Sequence, residues 1–129
     1  MKQNKKVKVF LSVPMRGRHW SEVAKTFKVL TDYAEALYGI GEVEIVSAFV
    51  KDKPTTDVKE NLTELWYLGE SFKQLSKADM FIGVTDTSSH GFYGCVLEEE
   101  AAKYYGIDWY LMKMEEACPD IIKEEFYKE

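Results

Sequence analysis

The chain has 129 residues, of which 17 are Lys or Arg and 22 are Asp or Glu, giving a formal charge of −5. That length fits a single domain across residues 1–129, and 46% hydrophobic with 14% aromatic residues supplies a core, which excludes disorder. The acid excess excludes a general binder of polymeric nucleic acid or anionic membranes, because phosphates require a basic face; Lys2, Lys5, Lys6 and Lys8 read as a solvated end.

Val7 to Val13 (VKVFLSV) is a β-branched and apolar run, predicted as a strand that breaks at Pro14-Met15-Arg16-Gly17. Trp20, Val23, Ala24, Phe27, Leu30, Ala34, Leu37 and Tyr38 recur at helical steps, predicting an amphipathic helix that ends at Gly39 and Gly41. Val43 to Val50 (VEIVSAFV) reads as a second strand, and Lys51 to Asp57 as an exposed loop. A second helix follows, with Leu62, Leu65, Trp66, Phe72 and Leu75 on its inward stripe. Asp79 then leads into Met80 to Val84 (MFIGV), a continuous apolar run of the kind buried on both faces at the centre of a sheet. Thr85 to Gly94 is a polar loop, after which a third helix runs to Tyr105 and stops at Gly106. Ile107 to Met112 (IDWYLM) forms a fourth strand, and Asp120 to Lys128, after Pro119, a last short helix.

Strands joined by helices of this length lie parallel with right-handed crossovers, so the alternation predicts an open α/β fold with helices on both faces. In such sheets ligands bind beyond the carboxyl ends of the strands, near the point where strand order reverses. The candidate site is therefore built from Val13 to Arg18, Ser47 to Val50, Thr85 to Gly94, the start of the third helix, and Lys113.

Glu98-Glu99-Glu100 would by default be a solvated face, but helical geometry separates the three. At about 100° per residue, with Leu97 at zero, the apolar arc of Leu97, Ala101, Tyr105 and Ala102 centres near about 65° and contains Glu98 at about 100°. Glu99 and Glu100 fall near about 200° and about 300°, outside that arc. A carboxylate turned toward the sheet costs desolvation unless something there uses it, and placement in the first turn of a helix would favour its charged form. Glu98 is therefore the candidate nucleophile or base; the competing reading is a helix-start Glu satisfying backbone amides. Met15, Arg16, Gly17 and Arg18 end the first strand as an anion-holding loop, with surface charge as the alternative. Neither G-x-G-x-x-G nor G-x-x-x-x-G-K-[ST] occurs, so dinucleotide and P-loop readings lack their fingerprints.

Asp86, Ser88, Ser89 and His90 offer a carboxylate, hydroxyls and an imidazole for a sugar or phosphate, although Asp86 also suits a turn and His90 an exposed loop. Cys95 precedes the third helix, where a thiolate is favoured, but no His-Asp relay accompanies it. With no C-x-x-C pair and no signal-peptide core, Cys95 and Cys118 are expected as free thiols in a reducing cytoplasm. The apolar runs fall short of the ~20 residues that span a bilayer, and His19 and His90 alone offer imidazole, so no membrane or metal role is expected.

VFLSVPMRGR, SKADMFIGV and GCVLEEEAAKYYGI together resemble the nucleoside 2-deoxyribosyltransferase-like superfamily over most of the chain. That family has a substrate loop after its first strand, an Asp opening the third strand, and a Gly-x-x-x-Glu motif, which Gly94 to Glu98 is similar to, followed by Ala102 and Gly106. The Met15-Arg16-Gly17 loop resembles the branch that hydrolyses nucleoside 5′-monophosphates, and the short length is similar to that of phage- and prophage-encoded members. The resemblance implies a doubly wound, flavodoxin-like core of four to five strands, a homodimer or higher homo-oligomer, and no metal or organic cofactor. It further implies cleavage or transfer of the N-glycosidic bond of a nucleoside or nucleotide. Glu98 would be the nucleophile, forming a glycosyl-enzyme ester as in retaining glycosidases. The family places a general-acid Asp two helical turns before the strand-opening Asp; this chain has Ser71 there, with Glu70 beside it as the substitute acid. Val96 stands where the family has a second glycine. The alternative readings are a non-catalytic nucleotide-binding module on the same fold and an interaction protein that docks through its acidic tail and aromatic helix.

Overall fold

The pleat of two strands sorts the core. In β1 (Val7–Leu11), Val9 and Leu11 enter one apolar cluster and Phe10 another; in β3 (Met80–Val84), Met80, Ile82 and Val84 join the first and Phe81 the second. Both strands are thus buried on two faces, as the continuous apolar runs require. The structure is a computed structural model and describes residues 5–46 and 53–127.

With β2 (Val43–Val46) and β4 (Asp108–Met112), these strands form a four-stranded, wholly parallel sheet in the order β2-β1-β3-β4. The first cluster is covered by α1 (Trp20–Tyr38) through Val23, Leu30 and Ala34, and by α4 (Met114–Ala117) and α5 (Pro119–Tyr127) through Met114, Ala117 and Ile121. The second is covered by α2 (Thr63–Leu75) through Leu75 and by α3 (Tyr93–Tyr104) through Ala102. Helices on both faces of a parallel sheet make this a flavodoxin-like, doubly wound α/β fold whose strand order reverses between β1 and β3.

Asp79 locks the start of that central pair, because its carboxylate accepts the Lys8 amide at 2.9 Å while its own amide donates to the Lys8 carbonyl at 2.7 Å. Farther along, the Phe10 and Phe81 rings stack at 5.9 Å, and a Cβ added at Gly83 would lie 2.8 Å from the Phe81 ring. Gly39 takes φ 106°, and its amide closes α1 on the Glu35 carbonyl at 2.7 Å.

Several expected boundaries shift. β1 stops at Leu11, although the Ser12 amide still pairs with the Ile82 carbonyl at 2.9 Å. The chain between β4 and α5 forms the extra turn α4, and the Ser47 to Val50 portion of the expected second strand lies outside the described residues. On α1, Trp20 and Leu37 are exposed while Thr26 is fully buried. The expected stripe of α2 is corrected more strongly: Leu62, Leu65 and Phe72 are exposed, and Ser71 with Leu75 forms the buried line. Apolar residues occupy two sides of that helix, so periodicity could not say which side meets the sheet. Among the described residues no helix is long and apolar enough to cross a membrane.

Candidate functional site

Beyond the carboxyl ends of β1 and β3, where the strand order reverses, lies a cavity of about 470 Å³. Val13, Met15 and Arg16 line it from the loop after β1, Gly91 and Phe92 from the loop after β3, and Tyr93 to Cys95, Leu97 and Glu98 from α3. The fourth side is the α2 face of Glu64, Leu68 and Ser71, residues spaced so that they stack along one line of a helix, with Leu65 and Tyr67 beside it.

Glu98 lies at the floor and is only 7% exposed. Ser12 Oγ, just past β1, donates to its Oε1 at 2.7 Å, and Ser71 Oγ, from α2, donates to its Oε2 at 2.7 Å. Three chain segments therefore converge on one carboxylate. Burial pushes its carboxyl above the usual range, and the hydrogen bonds from Ser71 and Ser12 pull it only partway back. Glu98 is in the second turn of α3, not the first, so burial and two hydroxyls set its titration and the end of the helix dipole does not. The inward direction agrees with the helical reading, but the buried arc is Cys95, Glu98 and Ala102; Leu97, at the cavity wall, and Tyr105 are exposed.

Cys95 also borders the cavity, and burial followed by the charge of Glu98 pushes its thiol up to about 12. A thiol so held is a poor nucleophile near neutrality, the reverse of what the sequence promised, and Cys95 lies inside the first turn of α3, not ahead of it. At the rim, Arg16 Nη2 lies 3.9 Å from Glu64 Oε1, both side chains being well exposed.

The cavity thus unites Met15, Arg16, Ser71, Gly94, Cys95 and Glu98 from the residues singled out in the sequence. The others lie elsewhere. Arg18 is corrected from an anion ligand to an internal strut: its Nε and Nη2 donate to the two Asp120 carboxylate oxygens at 2.9 and 2.7 Å, and its Nη1 to the Pro14 carbonyl at 2.7 Å. Its Nη2 also reaches Thr26 Oγ1 at 2.9 Å, which leaves that guanidinium, 3% exposed, no free edge for a ligand. Glu70 is ion-paired with Lys73 at 2.7 Å and does not line the cavity. Asp86 sits at φ 59°, its carbonyl accepting the Ser89 hydroxyl at 2.9 Å, so it acts as a turn-former; Asp86, Ser88 and Ser89 are exposed and off the cavity. Gly17, at φ 73°, turns the chain beside Arg16 without itself lining the wall, and Lys113 precedes α4.

Sequence reasoning missed Ser12, Glu64, Tyr67 and Leu68. The seven-residue spacing of Glu64 and Ser71 was the one legible signal, since it places both on the same helix face. Compared with models of protein families, with curated proteins and with solved structures, the chain gives no match.

Proposed function

We propose that this protein cleaves or transfers the N-glycosidic bond of a deoxynucleoside or its 5′-monophosphate, with Glu98 as nucleophile. The observation that carries the reading is a buried carboxylate, fixed through both oxygens by Ser12 and Ser71, on the floor of a cavity at the strand-order reversal. Oxocarbenium-like charge at the anomeric carbon needs a carboxylate held at a defined position, and the two hydroxyls supply that preorganisation. Attack by a Glu98 oxygen would form a glycosyl ester while the C–N bond breaks and its electron pair leaves with the base; water or a second base would then take the sugar. The aromatic and apolar rim of Tyr67, Phe92, Tyr93 and Met15 suits a flat base, and Arg16 suits a phosphate.

The resemblance of VFLSVPMRGR and GCVLEEEAAKYYGI to the deoxyribosyltransferase-like superfamily supports the same reading, and brings with it a cytoplasmic, homo-oligomeric enzyme of phage type. The absence of Glu70 from the cavity favours the second reading, a nucleotide-binding module without turnover. Incubating the purified chain with deoxynucleosides and their monophosphates, and following free base by chromatography, separates the two. Base release that disappears in Glu98→Gln supports catalysis; ligand-dependent thermal stabilisation without base release supports the module. Arg16→Ala is expected to weaken monophosphates far more than nucleosides, and equal weakening would remove Arg16 from the phosphate role.

A further inference from the structure

Resting on the assignment of Arg16 to a substrate phosphate, we infer that Glu64 is the internal counter-ion an anionic substrate displaces, and so sets the balance between charged and uncharged substrates. Among the described residues that line the cavity, Arg16 is the one cation, and Glu64 and Glu98 are the carboxylates. Glu98 is committed to Ser12 and Ser71 at the floor. Glu64 stands two helical turns from Ser71 on the same α2 face, about 10 Å farther along at 1.5 Å per residue, which places it at the rim.

There its Oε1 lies 3.9 Å from Arg16 Nη2, with the two side chains 79% and 72% exposed. A pair so long and so hydrated is weakly held, so a phosphate dianion at the same guanidinium outcompetes it. The displaced carboxylate remains close by and repels the incoming anion, whereas a neutral nucleoside meets neither effect. Glu64 thus lowers affinity for monophosphates selectively and suppresses the capture of unrelated anions by an exposed arginine.

The test uses the full chain carrying Glu98→Gln, so that nothing turns over, with and without Glu64→Gln. Deoxynucleoside 5′-monophosphates and their parent deoxynucleosides are titrated by calorimetry at low and high salt. Glu64→Gln is expected to tighten monophosphates about threefold to tenfold at low salt, to leave nucleosides within about twofold, and to lose most of this effect at high salt, as screening of an exposed pair demands. Adding Arg16→Ala should abolish the gain. Equal effects on both ligand classes, weaker monophosphate binding, or no monophosphate binding to either protein would overturn the inference. Base release is followed separately in chains that retain Glu98: its absence alongside the selective gain defeats the glycosidic reading and leaves Glu64 in its role, while its presence without the gain does the opposite.

Discussion

Ser71 Oγ donates a 2.7 Å hydrogen bond to Glu98 Oε2 and so joins α2 to α3 at the floor of the cavity. The bond favours the ionised carboxylate against a burial penalty that works the other way. Ser71→Ala should therefore move the acid limb of the pH–rate profile for base release to higher pH, and Ser12→Ala should do the same. Each variant is expected to lose about 1.5–3 kcal/mol of stability, the range for a hydrogen bond to a charged group. Profiles of kcat/KM against pH, taken with denaturant titrations, check the direction and the magnitude; an unmoved acid limb would show that the hydroxyls only hold the fold.

Glu98 itself should oppose folding at neutral pH. Its folded carboxyl titrates above its unfolded one, so the stabilising contribution is fully present below the unfolded value and is lost as pH rises through the folded one. Glu98→Gln is expected to gain stability relative to the native chain as pH rises from the ordinary carboxyl range through the raised folded one, while base release falls roughly a thousandfold or more. Thermal melts across that pH range test the sign, and a gap that stays constant would contradict it.

Asp120 should show the opposite dependence. Burial alone would raise its carboxyl, but the hydrogen bonds and charge of Arg18 outweigh burial and hold it below the usual range. Its contribution is present above the unfolded value and disappears as pH falls through the folded one. Asp120→Asn should flatten the acid side of the stability curve, and Arg18→Ala should cost about 3–5 kcal/mol by stranding a partly buried carboxylate. Because Arg18 does not line the cavity, the residual folded protein should retain its preference between monophosphate and nucleoside.

Gly83 is required for space, not for backbone conformation. An added Cβ would lie 2.8 Å from a Phe81 ring that is 1% exposed and stacked on Phe10, so the ring has nowhere to move. Gly83→Ala is expected to cost about 1–3 kcal/mol, as overpacking does, whereas Gly94→Ala meets open space and should be nearly neutral for stability. Denaturant midpoints of the two variants, compared side by side, decide this.

The order of strands and helices, the parallel sheet and the edge that holds the cavity were legible in the sequence, because alternation and apolar runs are local consequences of burial. Met80 to Val84 announced a strand covered on both sides, and the rotation of the third helix turned Glu98 inward. The roles of Arg18, Glu70 and Ser71 were not legible. Arg18 binds a carboxylate 102 positions away, and Ser71 meets Glu98 only because α2 presents that one of its two apolar sides to the sheet. Periodicity records which residues share a face; which face is buried, and which distant polar group completes a buried charge, is decided by the packing of whole elements against one another.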